Sequence, residues 1–200
     1  MTPPENRRQR KKQAQATAIV GVAMELFEQQ GFEKTTMEQI AEQADVAKAT
    51  LYKYFPAKEA IVSEYWRRMV GQFHAGIEEL FQQLPDTQGR LAYVLKQSME
   101  HIMSHREIYL IYIRYRMQHL FDREVNEKLR SGSQELFTAI IKAGQEQGEI
   151  REDMSATLLA VNFEFIALTQ YVIWLSYPDL FDLEKSTQQL VNLYLQGAEK

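Results

Sequence analysis

Apolar residues recur every three or four positions along almost the whole of this 200-residue chain, and its five prolines stand only at 3, 4, 56, 85 and 178. Such spacing lays one apolar stripe along each of a series of helices. No run alternates apolar and polar residues as a half-buried strand must, and no internal repeat is present. An all-α fold of about nine helices is expected. The first carries Ile19, Val22, Ala23, Leu26 and Phe27 and ends at Gly31; Thr36-x-x-Gln39 then has the capping-box pattern that opens a short helix. Leu51 and Phe55 mark another short helix, which Pro56 closes because the residue before proline resists the α conformation. A long helix over 58–84 follows, then helices near 90–104, 106–119, 122–147, 154–176 and 183–197.

The absence of cysteine removes thiolate catalysis, disulfides and Cys-based metal sites. The formal charge of −4 conceals an asymmetry: residues 1–62 carry 9 Lys and Arg against 8 Asp and Glu, whereas residues 63–200 carry 14 against 19. Arg7, Arg8, Arg10, Lys11 and Lys12 concentrate the positive charge at the start. Residues 1–14 read as a basic flexible arm, either a solvated leader or an arm attracted to phosphate. With no apolar segment behind that run, no secretory leader is expected and the default location is cytoplasmic. The most apolar stretch, 156–175, is interrupted by Asn162, Glu164, Thr169 and Gln170, so no membrane span is expected.

Two short helices joined by a tight turn at Asp45 and Val46, after a longer first helix, make a helix-turn-helix unit over 15–62, with the motif itself at about 36–55. Ile40, Ala41, Ala44, Val46, Leu51 and Phe55 form its inward face. The outward face of the second short helix offers Lys48, Ala49, Thr50, Tyr52 and Lys53, a donor-rich face suited to a major groove about 12 Å wide. Tyr52 and Tyr54 could equally pack under the first helix.

The run IVGVAMELFEQQ and the segment GFEKTTMEQIAEQADVAKATLYKYFPAKEAIV, ending at Val62, closely resemble the N-terminal domain of TetR-family transcriptional regulators. The resemblance implies a homodimeric, ligand-released repressor of a palindromic double-stranded DNA operator. By resemblance, Thr36 would donate to a phosphate, Lys48 and Ala49 would sit at base edges, and Thr50 would meet a thymine methyl or a phosphate. Tyr52, Tyr54 and Lys58 would position the domain on the backbone, with Lys53 and Ala47 nearby. Two departures stand out: Asp45 replaces a frequent glycine, and Ala47 and Ala57 replace frequent serines that cap the helices behind them.

Residues 63–200 read as a helical ligand-binding and dimerisation domain. Leu158, Val161, Phe165, Leu168 and Val172 form a coiled-coil-like seam on a helix that is apolar on its other sides too, and Leu190 and Tyr194 of the last helix would join it between subunits. Tyr93, Met99, Met103, Tyr112 and Tyr115, with Phe163, Glu164 and Trp174, are candidates to line a cavity for a small apolar or aromatic inducer, with a cationic one if Glu164 faces it. Glu164 has a competing assignment, a salt bridge to Arg114 or Arg116. His101 and His105 are i,i+4, but no third ligand is marked by spacing, so neither metal nor cofactor is expected. A small helical enzyme or a protein-interaction module are the other classes. The first lacks a GxSxG, P-loop, HExxH or Cys nucleophile.

Overall fold

A computed structural model describes residues 7–177, 179 and 182–198; the first six residues of the expected arm and Pro178 lie outside that range. Eleven helices and no strand occur among the described residues. They are α1 (Arg7–Gln30), α2 (Met37–Gln43), α3 (Lys48–Tyr54), α4 (Lys58–Ala75), α5 (Ile77–Gln83), α6 (Thr87–Ser104), α7 (Arg106–Gln118), α8 (Arg123–Leu129), α9 (Ser133–Glu146), α10 (Ala156–Ser176) and α11 (Leu183–Ala198).

The basic run expected to be a flexible arm is helical from Arg7 onward. Its Arg, Lys, Gln and Ala residues are strong helix formers and no Gly or Pro interrupts them before Gly21. Two of the nine expected helices are divided. The 58–84 helix breaks at Gly76, whose N–H is shared between the carbonyls of Gln72 and Phe73 at 3.2 Å each. Glycine is the poorest helix former after proline, and Glu78 and Glu79 then favour a new N-terminus at Ile77. The 122–147 helix breaks at Gly132, whose φ of +89° no α-helix contains. Asp86 starts α6 three residues earlier than expected, because its carboxylate accepts from the Gly89 N–H at 2.7 Å.

The chain forms two compact units. The first comprises residues up to Arg67 together with Leu110–Leu129. Its core gathers Ile19, Ala23 and Phe27 of α1, Ile40 and Ala41 of α2, Leu51 of α3, and Ile61, Val62 and Trp66 of α4. Burying each of the larger side chains contributes about 1.5–3 kcal/mol, which holds two helices far too short to persist alone.

The second unit comprises Arg68–Tyr109 and the chain from Arg130 on. In it α10 packs on α9 and α6 on α9 and α11. Phe163 is fully buried, with Phe137 and Tyr194 edge-on at 4.8 and 4.9 Å. By length and composition α10 could cross a membrane, but Leu159, Ala160, Phe163, Ala167, Tyr171, Trp174 and Leu175 are buried inside this unit.

Candidate nucleic-acid interface

The α2–α3 turn is built by local hydrogen bonds. The Val46 N–H donates to Ala41 O at 3.0 Å and the Asp45 N–H to Glu42 O at 3.2 Å, the paired bonds of a Schellman motif. That motif needs a left-handed residue after the cap, and Asp45 supplies it at φ +51°. Side-chain-bearing residues are disfavoured there, aspartate and asparagine less than most, which accounts for the glycine frequent at this position in the resembling family. At the front of α2 the expected capping box is present: Thr36 Oγ1 accepts from the Gln39 N–H at 3.2 Å, and Gln39 Oε1 accepts from the Thr36 N–H at 2.8 Å. The Thr36 hydroxyl hydrogen is not used by that cap, so capping and donation to a phosphate are compatible.

α3 enters from Ala47, whose extended φ and ψ of −61° and 140° suit an N-cap but whose side chain makes no cap bond. Leu51 is buried and locks the helix inward, while Ala47, Lys48, Ala49, Tyr52 and Lys53 are exposed and Thr50 is half-buried. Tyr52 is 43 % exposed with its phenol in solvent reach. Tyr54 is tied to α1: its hydroxyl donates to Gln15 Oε1 at 2.9 Å, and Lys12 Nζ lies 5.9 Å from its ring centroid. The early, basic turns of α1 therefore run beside the end of α3.

Two side chains have partners that spacing does not reveal. Lys58 Nζ donates to the carbonyls of Phe32 at 2.7 Å and Thr35 at 3.2 Å and lies 4.2 Å from the Phe32 ring centroid. It clamps the loop before α2, and a phosphate contact would compete with those bonds. Lys48 forms an ion pair with Glu38 of α2, both side chains being more than half exposed.

The second unit contains a groove of about 620 Å³. Met69, Gln72 and Phe73 of α4 and Glu79, Leu80 and Gln83 of α5 form one wall; Tyr93, Val94, Gln97, Glu100, His101 and Ser104 of α6 form the other. Gln83 donates to Glu79 and Gln97 to Glu100, each at 3.0 Å, so both carboxylates are held by amides. Among the eight residues expected around a ligand, Tyr93 lines this groove. Met99 is buried and Met103 exposed on the same helix. Phe163 and Trp174 are core residues of α10, and Tyr112 and Tyr115 belong to the first unit, where Tyr112 is buried 6.2 Å from Trp66 and Tyr115 stands 4.8 Å from His119. Buried Glu164 accepts from Ser133 Oγ at 2.6 Å. The His101 and His105 rings are 4.5 Å apart, and no group of three His, Cys, Asp or Glu able to hold a metal ion occurs among the described residues.

Of the seam expected between subunits, Leu158, Phe165 and Val172 are 41–48 % exposed, Val161 and Leu168 half-buried. Leu190 and Tyr194 are buried; the Tyr194 hydroxyl donates to Leu159 O at 2.8 Å and burial pushes its pKa up to about 12.

Residues 19–65 match the family model of bacterial regulatory proteins, tetR family. Relatives extend the likeness over the whole chain. The fatty acid metabolism regulator protein of Bacillus subtilis is 24 % identical over 94 % of this chain and 97 % of its own. The HTH-type transcriptional repressor KstR2 of Rhodococcus jostii is 25 % identical over 98 % of this chain and 97 % of its own. Among solved structures, the TetR-family repressor FadR of Thermus thermophilus, in complex with lauroyl-CoA, superimposes with a TM-score of 0.79 at 25 % identity, covering 91 % of this chain and 94 % of that one. These relatives are regulators rather than enzymes. With residues 19–65 matched by the family model and the fold matched over most of the chain, the N-terminal segment is a helix-turn-helix domain of the tetR-family type, and the findings support a TetR-type DNA-binding transcriptional regulator.

Proposed function

We propose that this regulator is a cytoplasmic homodimer that represses by placing α3 of each subunit in successive major grooves of a palindromic operator, and that a small molecule in the second unit releases it. The observation that carries the reading is α3 itself: Leu51 anchors it inward while Lys48, Tyr52 and Lys53 stand exposed on a short helix beside the basic turns of α1. Thr36, Ala47, Ala49, Thr50 and Tyr54 complete the contact surface in this reading. Two half-sites about 34 Å apart require two copies. Leu158, Phe165 and Val172, spaced i, i+7, i+14 on α10, supply an exposed apolar seam for the second copy.

For the ligand, the FadR structure with lauroyl-CoA supports a fatty acyl-CoA. The groove suits the uncharged part of such a molecule. Met69, Phe73, Leu80 and Val94 offer apolar wall, and Gln72, Gln83 and Gln97 can pair with the amides of its pantetheine arm. It contains no Lys or Arg, so the phosphates would stay outside it. A second reading, a cationic aromatic ligand, is favoured by Glu79 and Glu100 facing the same space as Tyr93 and Phe73. α4 carries both the Lys58 clamp and three groove residues, so a ligand that shifts α4 can disturb the α2–α3 unit.

The test is a titration of the protein bound to DNA selected from a random duplex pool. Saturating lauroyl-CoA is expected to weaken the complex roughly 5- to 150-fold, a usual range for coupled sites, while a benzyl trimethylammonium probe leaves it unchanged. Release by the cationic probe alone moves the assignment to the second reading. No release by either contradicts ligand control from this groove.

A further inference from the structure

Lys48 opens α3 and is flanked by Ala47 and Ala49, the smallest side chains that can let a helix approach base edges closely. Its ammonium is paired with the carboxylate of Glu38, which projects from the first turn of α2. Both side chains are more than half exposed, so the pair is a surface feature and is not held by the core. A carboxylate at a DNA-facing surface is unfavourable by itself, because the phosphates repel it. Joined to Lys48 it is compensated, and the two together present donors and an acceptor side by side.

We infer that Glu38 is a specificity-determining residue, reading cytosine next to the guanine read by Lys48. The inference rests on the DNA-reading assignment above. The donor and acceptor inventory supports it. An ammonium has three hydrogens; one engages Glu38 and two remain for guanine O6 and N7. A carboxylate has about four acceptor positions; one engages Lys48 and another can accept from a cytosine N4 amine. Heads in hydrogen-bond contact can serve adjacent base pairs, since bases on one strand are about 3.4 Å apart. A thymine there would turn O4 toward the carboxylate, acceptor against acceptor. Glu38 has the ionisation state this requires, because the hydrogen bond from Lys48 holds its carboxyl below the usual carboxylate range.

The experiment is binding-site selection from a random duplex pool with the full chain, its Glu38→Gln and Glu38→Ala variants, and Lys48→Ala. The wild type is expected to enrich half-sites with a G and, on a neighbouring base pair, a C. Glu38→Gln should move the C position toward A, since a carboxamide pairs with adenine N6 and N7. Glu38→Ala should flatten that position, losing roughly 5- to 150-fold of discrimination, while the G preference persists. Lys48→Ala should lose the G. If both Glu38 variants keep the wild-type preferences and bind every sequence more tightly, Glu38 is only a counter-charge and the inference fails, although DNA reading stands. If the wild type enriches no motif at all, the DNA-reading assignment fails with it.

Discussion

Ala47 stands where the first turn of the recognition helix needs a side-chain acceptor. The Thr50 and Leu51 N–H groups both converge on its carbonyl, at 2.8 and 3.0 Å, and its backbone is already extended as an N-cap requires. Ala47→Ser thus adds a hydroxyl at a position with the correct geometry, to accept from the amide of Ala49 or Thr50. Ser in place of Ala at an N-cap stabilises a helix by about 1 kcal/mol. α3 is 7 residues long, so the whole of that increment acts on two turns. The effect is local and is best read by native-state hydrogen exchange. Protection of the α3 amides should rise about fivefold, as about 1 kcal/mol implies when 1.4 kcal/mol is tenfold. Ala47→Val, which adds bulk without an acceptor, should give no gain. Equal protection in the Ser and Val variants would refute the capping argument.

Three further outcomes follow from single residues. Asp45→Gly should stabilise the α2–α3 unit by about 0.5–1 kcal/mol, the left-handed penalty relieved less the added chain entropy; Asp45→Val should destabilise it, and chemical denaturation would show both signs. Gly144→Ala should cost about 1–3 kcal/mol, because its Cβ would overlap the Thr87 hydroxyl and reach within 2.8 Å of Ile150 Cγ1; Thr87→Ala in the same chain should restore part of the loss on thermal melting. His101 is held below the usual histidine value by burial and by neighbouring His105. The stability contributed by its neutral ring is complete above about pH 6.5 and is lost as pH falls toward the lower folded value, so urea midpoints should drop more between pH 7 and 5 in the wild type than in His101→Gln.

The features legible in the sequence are those whose causes are local. Thr36 and Gln39 announce the α2 cap, Phe55 before Pro56 announces the end of α3, and the all-round apolarity of 156–176 announces a helix needing partners on two sides. Ser131-Gly132-Ser133 carried a legible turn signal, overridden by the helical spacing on either side of it. Lys58 bonded to carbonyls 23 and 26 residues away, and Glu38 paired with Lys48 across a turn, are tertiary arrangements that periodicity does not encode. The groove is likewise tertiary. The aromatic and methionine side chains from Tyr93 to Tyr115 mark only the α6 wall, whereas the other wall comes from α4 and α5, meeting at the Gly76 break.

Sequence-specific DNA reading by the exposed face of α3 is open to a direct test through a salt-resolved affinity ratio. Binding of the wild type and Lys48→Ala to a selected palindrome and to its scrambled counterpart should be measured at 50 and 200 mM salt. The wild type is expected to prefer the palindrome by about 10³-fold or more at 200 mM, and Lys48→Ala to lose much of that preference. Equal affinity of the wild type for the two duplexes would contradict sequence-specific reading.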